Sequence, residues 1–195
     1  MRPSIRDLVS ICASNLPIGN VLEVGSFQVQ PADLSDMRPF FPEQEYIGID
    51  MRPGSGVDVV ADFEGSGIYA QIPIHSHAVA LCLETLEHVK HPWVVAQRIA
   101  QFMREDGWLL VTVPFAFPIH DHPAADYWRF TPSGLRLLLE DAGFLDVHII
   151  QAGAVDNPHT VVGLASPTQD FFLSGTKNFL GTLCQDWARK WIVSP

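Results

Sequence analysis

The stretch Val21-Leu22-Glu23-Val24-Gly25-Ser26 decides the predicted fold. Four largely apolar residues before a glycine are typical of a buried strand whose chain turns sharply at its carboxyl end. A second apolar run, 46–49, ends in Asp50, which lies 25 positions after Gly25 (50 − 25). This is roughly the spacing at which an acid binds the ribose diol in nucleotide-binding folds. The two runs together predict a parallel sheet with a nucleoside site at its edge.

Outward from these runs, the chain alternates strand and helix patterns. Five more apolar runs predict strands at 57–60, 78–83, 108–113, 147–150 and 161–164. Helical periodicity predicts helices over 4–15, from 91 to about 106, and over 131–143. We expect Ser4 to cap the first helix, Met103 to lie on the inner face of the second, and Gly107 to end it. The alternation predicts an α/β fold: a single-domain, doubly wound, Rossmann-like sheet of about seven mostly parallel strands with helices on both faces.

Length and composition restrict the class of protein. The chain has 195 residues, enough for one domain with a sizeable core, which we place at about 18–166. Hydrophobic residues make up 47% and charged residues 17%, which excludes a disordered chain. The remaining segment, 168–195, is unusually aromatic. We interpret it foremost as helical cover for the sheet edge, with a homodimer contact and a membrane-surface helix as alternatives.

Charge and cysteine content limit the partners and the location. Twenty-two acids against twelve bases give a formal charge of −10, so a nucleic-acid partner is not expected. Three well-separated cysteines favour a reducing compartment. The first residues do not have the pattern of a signal peptide, and no apolar run approaches the length of a membrane span. We therefore expect a cytoplasmic protein with no membrane span.

Acids recur where the predicted strands end. Glu23 lies in the first strand, and Asp50, Asp62 and Glu84 follow the next three. Ligands of open α/β sheets bind at the carboxyl ends of the strands, so these acids predict a ligand with hydroxyls and positive charge. The segment 26–28 replaces the second and third glycines of a dinucleotide fingerprint, and such a loop leaves little room for a pyrophosphate. A nucleoside without phosphates is therefore favoured.

At this point the sequence resembles a known family, the class I S-adenosylmethionine-dependent methyltransferases, and is most similar to small bacterial enzymes of the methyltransferase-11-like group. The resemblance covers roughly residues 18–166. It rests on the runs Val21-Leu22-Glu23-Val24-Gly25-Ser26, Tyr46-Ile47-Gly48-Ile49-Asp50, Leu83-Glu84-Thr85-Leu86-Glu87-His88-Val89, 107–115 and 122–131. The resemblance implies S-adenosyl-L-methionine as the cofactor.

The resemblance also implies roles for individual residues. Glu23, Gly25 and Ser26 would border the methionine part of the cofactor. Asp50 would hold the ribose hydroxyls, with Met51 packing at the adenine. Asp62 and Phe63 would border the adenine from the next strand. Leu83, Glu84 and Thr85 would line the cofactor near its sulfonium.

The loop after the fifth strand predicts the acceptor site. Loops at that edge reach over a bound ligand, and this one is rich in polar groups. Since histidine titrates near neutrality, His120 and His122 are the candidate general bases, with His88 facing the same space. Asp126, Tyr127 and Arg129 are candidate substrate-binding residues, and an ion pair between Asp126 and Arg129 is the structural alternative. His75 and His77 form a second His-x-His pair, but neither pair has a third ligand fixed by the sequence, so we expect no metal.

These observations predict a methyltransferase that acts on a small-molecule acceptor, preferably at an oxygen nucleophile. Two alternatives stay open. One is a non-catalytic cofactor-binding or partner-binding module with the same fold. The other is a NAD-dependent oxidoreductase, which the missing glycines disfavour.

Overall fold

A seven-stranded sheet forms the centre of the protein. The computed structural model describes residues 2–29, 32–120, 124–154, 156–168 and 176–191, with the backbone alone for 32, 33 and 176–181. The strands are β1 (Val21–Val24), β2 (Tyr46–Asp50), β3 (Val59–Val60), β4 (His77–Leu83), β5 (Met103–Pro114), β6 (Asp146–Ala154) and β7 (Asn157–Ser166). The α-helices are α1 (Pro3–Ala13), α2 (Ala32–Ser35), α3 (Pro92–Phe102), α4 (Pro132–Asp141) and α5 (Thr176–Lys190).

The strand order is β3-β2-β1-β4-β5-β7-β6. The pairs from β3 to β5 are all parallel, and β7 runs antiparallel between β5 and β6. From β1 the chain adds β2 and β3 on one side of the sheet, and from β4 it adds the remaining strands on the other side. The strand order therefore reverses between β1 and β4. A ligand cleft is expected outside their carboxyl ends. The predicted fold class is confirmed.

Helices cover both faces of the sheet. On one face α3 and α4 contribute Val95, Ile99, Phe102, Leu135 and Leu139 to the core. On the other face α1 and α5 pack together: the Trp187 indole donates to the Ser4 carbonyl at 2.7 Å, and the Lys190 ammonium lies 2.9 Å from Asp7. Helix α5 thus packs beside α1 on this side of the sheet. None of the described helices is long and apolar enough to cross a membrane.

Helix boundaries test the predicted caps. Thr131 accepts a hydrogen bond from the Gly134 amide at 3.0 Å, and Gly143 adopts φ +101° just beyond α4, so both predicted ends are confirmed. Ser4 is not the cap of α1, because Pro3 takes the first helical position and Arg2 precedes it.

The predicted end of the second long helix is also wrong. Helix α3 stops at Phe102, and Met103 is already extended as it pairs with His77 at the start of β4. The strand partner available at that point outweighs the helical pattern.

Candidate active site

The end of β1 fits only a glycine. Gly25 has φ +82°, and a Cβ built there would lie 2.2 Å from Oγ1 of Thr85, the residue that follows the end of β4 by two positions. Thr85 is held in place by Oγ1, which lies 3.0 Å from the Leu83 carbonyl and 3.3 Å from the Val24 carbonyl. The structure therefore brings Gly25 and Thr85 together at the point where the strand order reverses.

The end of β2 presents a carboxylate. Asp50 Oδ1 accepts hydrogen bonds from the Arg52 amide at 2.9 Å and from its Nε at 3.2 Å. Among the described residues, Asp50 Oδ2 has one contact, a long one of 3.4 Å with the Phe27 amide. One oxygen of Asp50 thus keeps capacity for a further donor.

In the loop after β1, the Phe27 side chain occupies space that a glycine would leave open. Its ring lies under the Arg52 guanidinium, at 4.4 Å, and against Gly54, where a Cβ would come within 2.4 Å of the ring. The sequence analysis missed this contact between the loops after β1 and β2. The two glycines at 54 and 56, in the loop that follows Asp50, were the available signal.

Two buried polar atoms lie at the ends of the strands that flank the reversal. Ser26 Oγ and Glu84 Oε1 have no hydrogen-bond partner among the described residues. The other oxygen of Glu84 accepts from the Arg2 guanidinium at 2.5 Å, and Glu84 itself adopts φ +49°, which is strained for a residue with a side chain. Arg2 was not predicted as a site residue, since no sequence signal links positions so far apart.

Glu23 lies deeper than the resemblance implies. Its carboxyl is buried and accepts a hydrogen bond from the Tyr46 hydroxyl at 2.7 Å. Burial raises the pKa of Glu23 to about 7, against the opposing effect of the Tyr46 hydrogen bond. Glu23 is thus engaged within the sheet.

The residues predicted to border the adenine differ in their exposure. Met51 is 69% exposed beside Asp50. Asp62 accepts from the Glu64 amide at 2.8 Å in the turn after β3. Phe63 is buried and packs against Phe102, 5.8 Å between ring centroids. Leu83 is likewise a core residue, and its carbonyl accepts a hydrogen bond from Thr85 Oγ1.

The loop after β5 is held by Asp126. Its carboxylate accepts hydrogen bonds from both terminal nitrogens of Arg129, at 2.5 and 2.6 Å, and from the His120 amide at 3.0 Å. The Arg129 hydrogen bonds hold the pKa of Asp126 well below its ordinary value. The ion pair foreseen as the structural alternative is therefore present, and the same carboxylate also contacts His120. His122 lies outside the described residues.

Next to this loop, Glu87 is fully buried and follows β4 in a short 3₁₀ turn, 86–88. Burial, together with the nearby Glu84 carboxylate, raises the pKa of Glu87 well above its ordinary value. The Glu87 carbonyl accepts the Tyr127 amide at 2.7 Å, which joins this turn to the loop. The sequence analysis assigned Glu87 no role, although it stands in the Leu-Glu-His motif.

An open depression of about 400 Å³ adjoins these groups. Its lining is mostly apolar and aromatic: Phe115, Ala116, Phe117, Ile119, Asp126, Tyr127, Trp128 and Arg129. Tyr127 is 49% exposed, and the Trp128 indole donates to the Val89 carbonyl at 2.9 Å. The space suits a small, partly apolar molecule.

The pair formed by His75 and His77 lies elsewhere. His77 opens β4 at its amino end, is fully buried, and has Nδ1 3.1 Å from the Phe102 carbonyl. This pair therefore lies at the opposite end of β4 from the cleft.

Known proteins resemble this chain in sequence family and in fold. The family model described as methyltransferase domain matches residues 1–149. No curated sequence matches the chain significantly.

Solved structures share the fold at low sequence identity. The Burkholderia thailandensis 1,6-didemethyltoxoflavin-N1-methyltransferase, crystallised with 1,6-didemethyltoxoflavin and S-adenosylhomocysteine, is 18% identical, with 85% of this chain and 79% of that chain covered and a TM-score of 0.65. A SAM-dependent methyltransferase from Archaeoglobus fulgidus is 14% identical, with 83% and 94% covered and a TM-score of 0.59. The N-terminal domain of EvdMO1, solved with S-adenosylhomocysteine, is 16% identical, with 85% and 81% covered and a TM-score of 0.61.

Proposed function

The chain belongs to the methyltransferase domain family, and we propose that it transfers a methyl group from S-adenosylmethionine to an oxygen nucleophile of a small acceptor. The family match covers residues 1–149 of the 195, and the sheet has the fold of the methyltransferases compared above. The resemblance to class I methyltransferases is thereby confirmed. We propose, beyond family and fold, the cofactor site, the acceptor and the catalytic residues.

The observation that carries the proposal is the pair of unpartnered polar atoms where the sheet reverses. Ser26 Oγ and Glu84 Oε1 are buried without partners among the described residues, and buried polar groups are normally hydrogen-bonded. A ligand that brings an ammonium to Glu84 Oε1 and a carboxylate to the Ser26 hydroxyl, at the ends of β4 and β1, would satisfy both atoms. The residues present thus fit the methionine end of S-adenosylmethionine.

The ribose end fits Asp50. Its Oδ2 keeps capacity for a donor, and it stands at the end of the strand next to β1. Met51, Asp62 and Phe63 would border the adenine, with Met51 contributing the most exposed surface.

The acceptor would occupy the depression beside the loop after β5. When bound, S-adenosylmethionine supplies a methyl group activated by its sulfonium: the carbon–sulfur bond breaks, its electron pair returns to sulfur, and the acceptor oxygen forms the new bond to carbon. The protein then has to align the acceptor oxygen and remove its proton. His120, oriented by Asp126, and His88 would promote the loss of that proton. The apolar lining would bind the body of the acceptor.

Calorimetric titration with S-adenosylmethionine, S-adenosylhomocysteine and NAD, run in parallel on the whole chain, tests the proposal. We expect saturable binding of the first two and none of NAD. An acceptor screen that measures S-adenosylhomocysteine release then tests turnover. Binding of NAD alone would favour the oxidoreductase, and binding of the cofactor without turnover on any acceptor would favour the non-catalytic module.

A further inference from the structure

We propose that Glu87, His88 and His120 form a binding site for a divalent transition-metal ion of the zinc type, at the acceptor side of the cleft. One donor atom from each of the three side chains lies within 4.8 Å of the donor atoms of the other two. Two imidazoles and one carboxylate are a ligand set that zinc and its neighbours accept, whereas calcium and magnesium favour oxygen alone.

Within the described part of the chain, Glu87 is buried without a partner for its charge. Its side chain is fully buried, and neither carboxylate oxygen has a hydrogen-bond partner among the described residues. The nearest imidazole nitrogen, His88 Nε2, lies 3.9 Å from Oε1, too far for a hydrogen bond. A buried carboxylate that lacks partners is costly, and a bound cation would compensate for that cost.

The two neighbouring arginines, Arg2 and Arg129, already bind other carboxylates. Arg2 lies 2.5 Å from Glu84, and Arg129 lies 2.5 Å from Asp126. Each guanidinium thus has a carboxylate of its own. Glu87 is the third acid of this region, and neither of these two cations is hydrogen-bonded to it.

The contacts of the two imidazoles indicate which ring nitrogen carries the proton. His88 Nδ1 lies 2.8 Å from the Ala125 carbonyl, and His120 Nδ1 lies 3.0 Å from Asp126 Oδ2 and 3.2 Å from the Pro118 carbonyl. Because all three neighbours only accept hydrogen bonds, Nδ1 of each ring carries the proton. The lone pair is then on Nε2, and a histidine that binds a metal typically donates its other N–H to a carbonyl or carboxylate in this way.

The ligands also come from well-fixed chain segments. Glu87 and His88 belong to the 3₁₀ turn directly after β4, and the Glu87 carbonyl accepts the Tyr127 amide from the loop after β5. The rings of His88 and His120 meet edge to face, 5.0 Å between centroids. Both imidazoles are partly exposed, and Asp126, which contacts His120, lines the depression, so the cluster lies beside it. Three protein ligands with an open position are typical of a catalytic zinc site.

A bound ion would give the site a defined role, and this role rests on the proposed function. An acceptor hydroxyl that binds the open position would lose its proton more readily, since a metal ion lowers the pKa of a bound oxygen. His88 and His120 would then act on the acceptor proton through the ion.

Metal binding can be measured without any methyl transfer. The whole chain, freed of metal with a chelator, is titrated with zinc chloride by calorimetry and with cobalt(II) by visible absorption. We expect one ion per chain. Glu87→Gln and His120→Ala should each weaken binding by more than the roughly 10–100-fold that loss of an outer-shell partner costs. His91→Ala is the matched control, because His91 also forms a pair with a glutamate, Glu64 at 2.7 Å, but lies outside the cluster.

The outcomes separate this proposal from the proposed function. A folded wild-type chain that binds no zinc, or zinc affinity unchanged in both cluster variants, overturns the site. Thermal unfolding of each variant shows whether lost binding reflects lost structure, and Glu87→Gln preserves the shape of the side chain. Chelation should abolish methyl transfer while S-adenosylhomocysteine affinity stays the same. Zinc binding with full transfer after chelation would overturn the catalytic role, and failure to bind S-adenosylhomocysteine would overturn the proposed function alone.

Discussion

The two halves of the cleft are built from different parts of the chain. The cofactor half (25–28, 50–52 and 83–85) is formed by backbone turns at the ends of adjacent strands, where loops pack closely against one another. The acceptor half (87–88, 115–120 and 124–131) is formed by longer side chains that meet across the fold. The cofactor half therefore depends on space for the backbone, whereas the acceptor half depends on individual polar contacts.

The largest expected effect follows from Gly25→Ala. The new Cβ would lie 2.2 Å from Thr85 Oγ1 at φ +82°, so strain and overpacking add, and we expect a loss of about 2–5 kcal/mol in the free energy of unfolding. S-adenosylhomocysteine affinity should fall as well. Urea unfolding and calorimetry measure the two effects.

Gly67→Ala is the matched control, because nothing lies within 4 Å of its Cβ position. Adding Thr85→Ala to Gly25→Ala removes the two closest atoms and should restore part of the stability. Equal stability of Gly25→Ala and wild type would show that the cofactor half is not limited by space.

Glu23→Gln tests whether the buried acid next to the cofactor half belongs to the sheet. The folded-state pKa of Glu23 is raised from about 4.5 to about 7, so between these values the folded state binds the proton that the unfolded state has lost. Wild-type stability contributed by this group therefore falls as pH rises from about 4.5 to 7. The variant lacks this titration and should gain about 3 kcal/mol at most over wild type between pH 5 and pH 8.

Urea unfolding of both proteins at the two pH values measures this gain. A constant difference between them would mean that Glu23 titrates normally in the folded protein. The second readout is S-adenosylhomocysteine affinity, which stays near the wild-type value if Glu23 acts only on Tyr46.

Part of the fold and of the site could be predicted from local sequence patterns. The strand ends, the glycine turn and the Thr131 cap follow from local patterns, and the Asp126–Arg129 pair joins residues three apart. The structural surroundings of Glu23 were not foreseen, because the Tyr46 hydroxyl that binds it comes from the next strand. Local sequence does not report which side chain a neighbouring strand supplies.

Contacts between distant segments were the least predictable. Arg2 reaches Glu84 from the start of the chain, and Glu87 meets His120 only because β4 and β5 are neighbours. Burial of a charged residue without partners has no local signature, so Glu87 stood in a motif without an assigned role. The acceptor half was therefore predicted as a loop and a set of residue types, and its pairings required the fold.

In the acceptor half, Asp126→Asn should act on turnover alone. The change removes the charge that holds Arg129 and orients His120, and a misplaced catalytic group costs roughly 100-fold in rate. Steady-state kinetics with the acceptor found in the screen would show the loss in kcat. S-adenosylhomocysteine affinity should stay within the error of the wild-type value, and a parallel loss of affinity would mean that the two halves are not independent.

Asp50→Ala should have the opposite pattern. Loss of a ligand hydroxyl partner is expected to weaken S-adenosylhomocysteine binding by about 1–3 kcal/mol, while stability changes less, since Asp50 bonds mainly to its own turn. Calorimetry of Asp106→Ala is the control, because Asp106 is an exposed aspartate at the start of β5. Unchanged affinity in a folded Asp50→Ala protein would remove Asp50 from the site.

Met51→Ala should have the smallest effect of all. The side chain is 69% exposed, so a bound adenine would bury only part of it, and we expect S-adenosylhomocysteine affinity to fall by about 1 kcal/mol or less. Ile74→Ala is the matched control, since Ile74 is 53% exposed and lies before β4, at the opposite edge of the sheet. A loss as large as that of Asp50→Ala would mean that a side chain, and not the backbone turn, dominates the adenine end. The cofactor half would then resemble the acceptor half, and the difference between the two would be confined to Gly25 and Thr85.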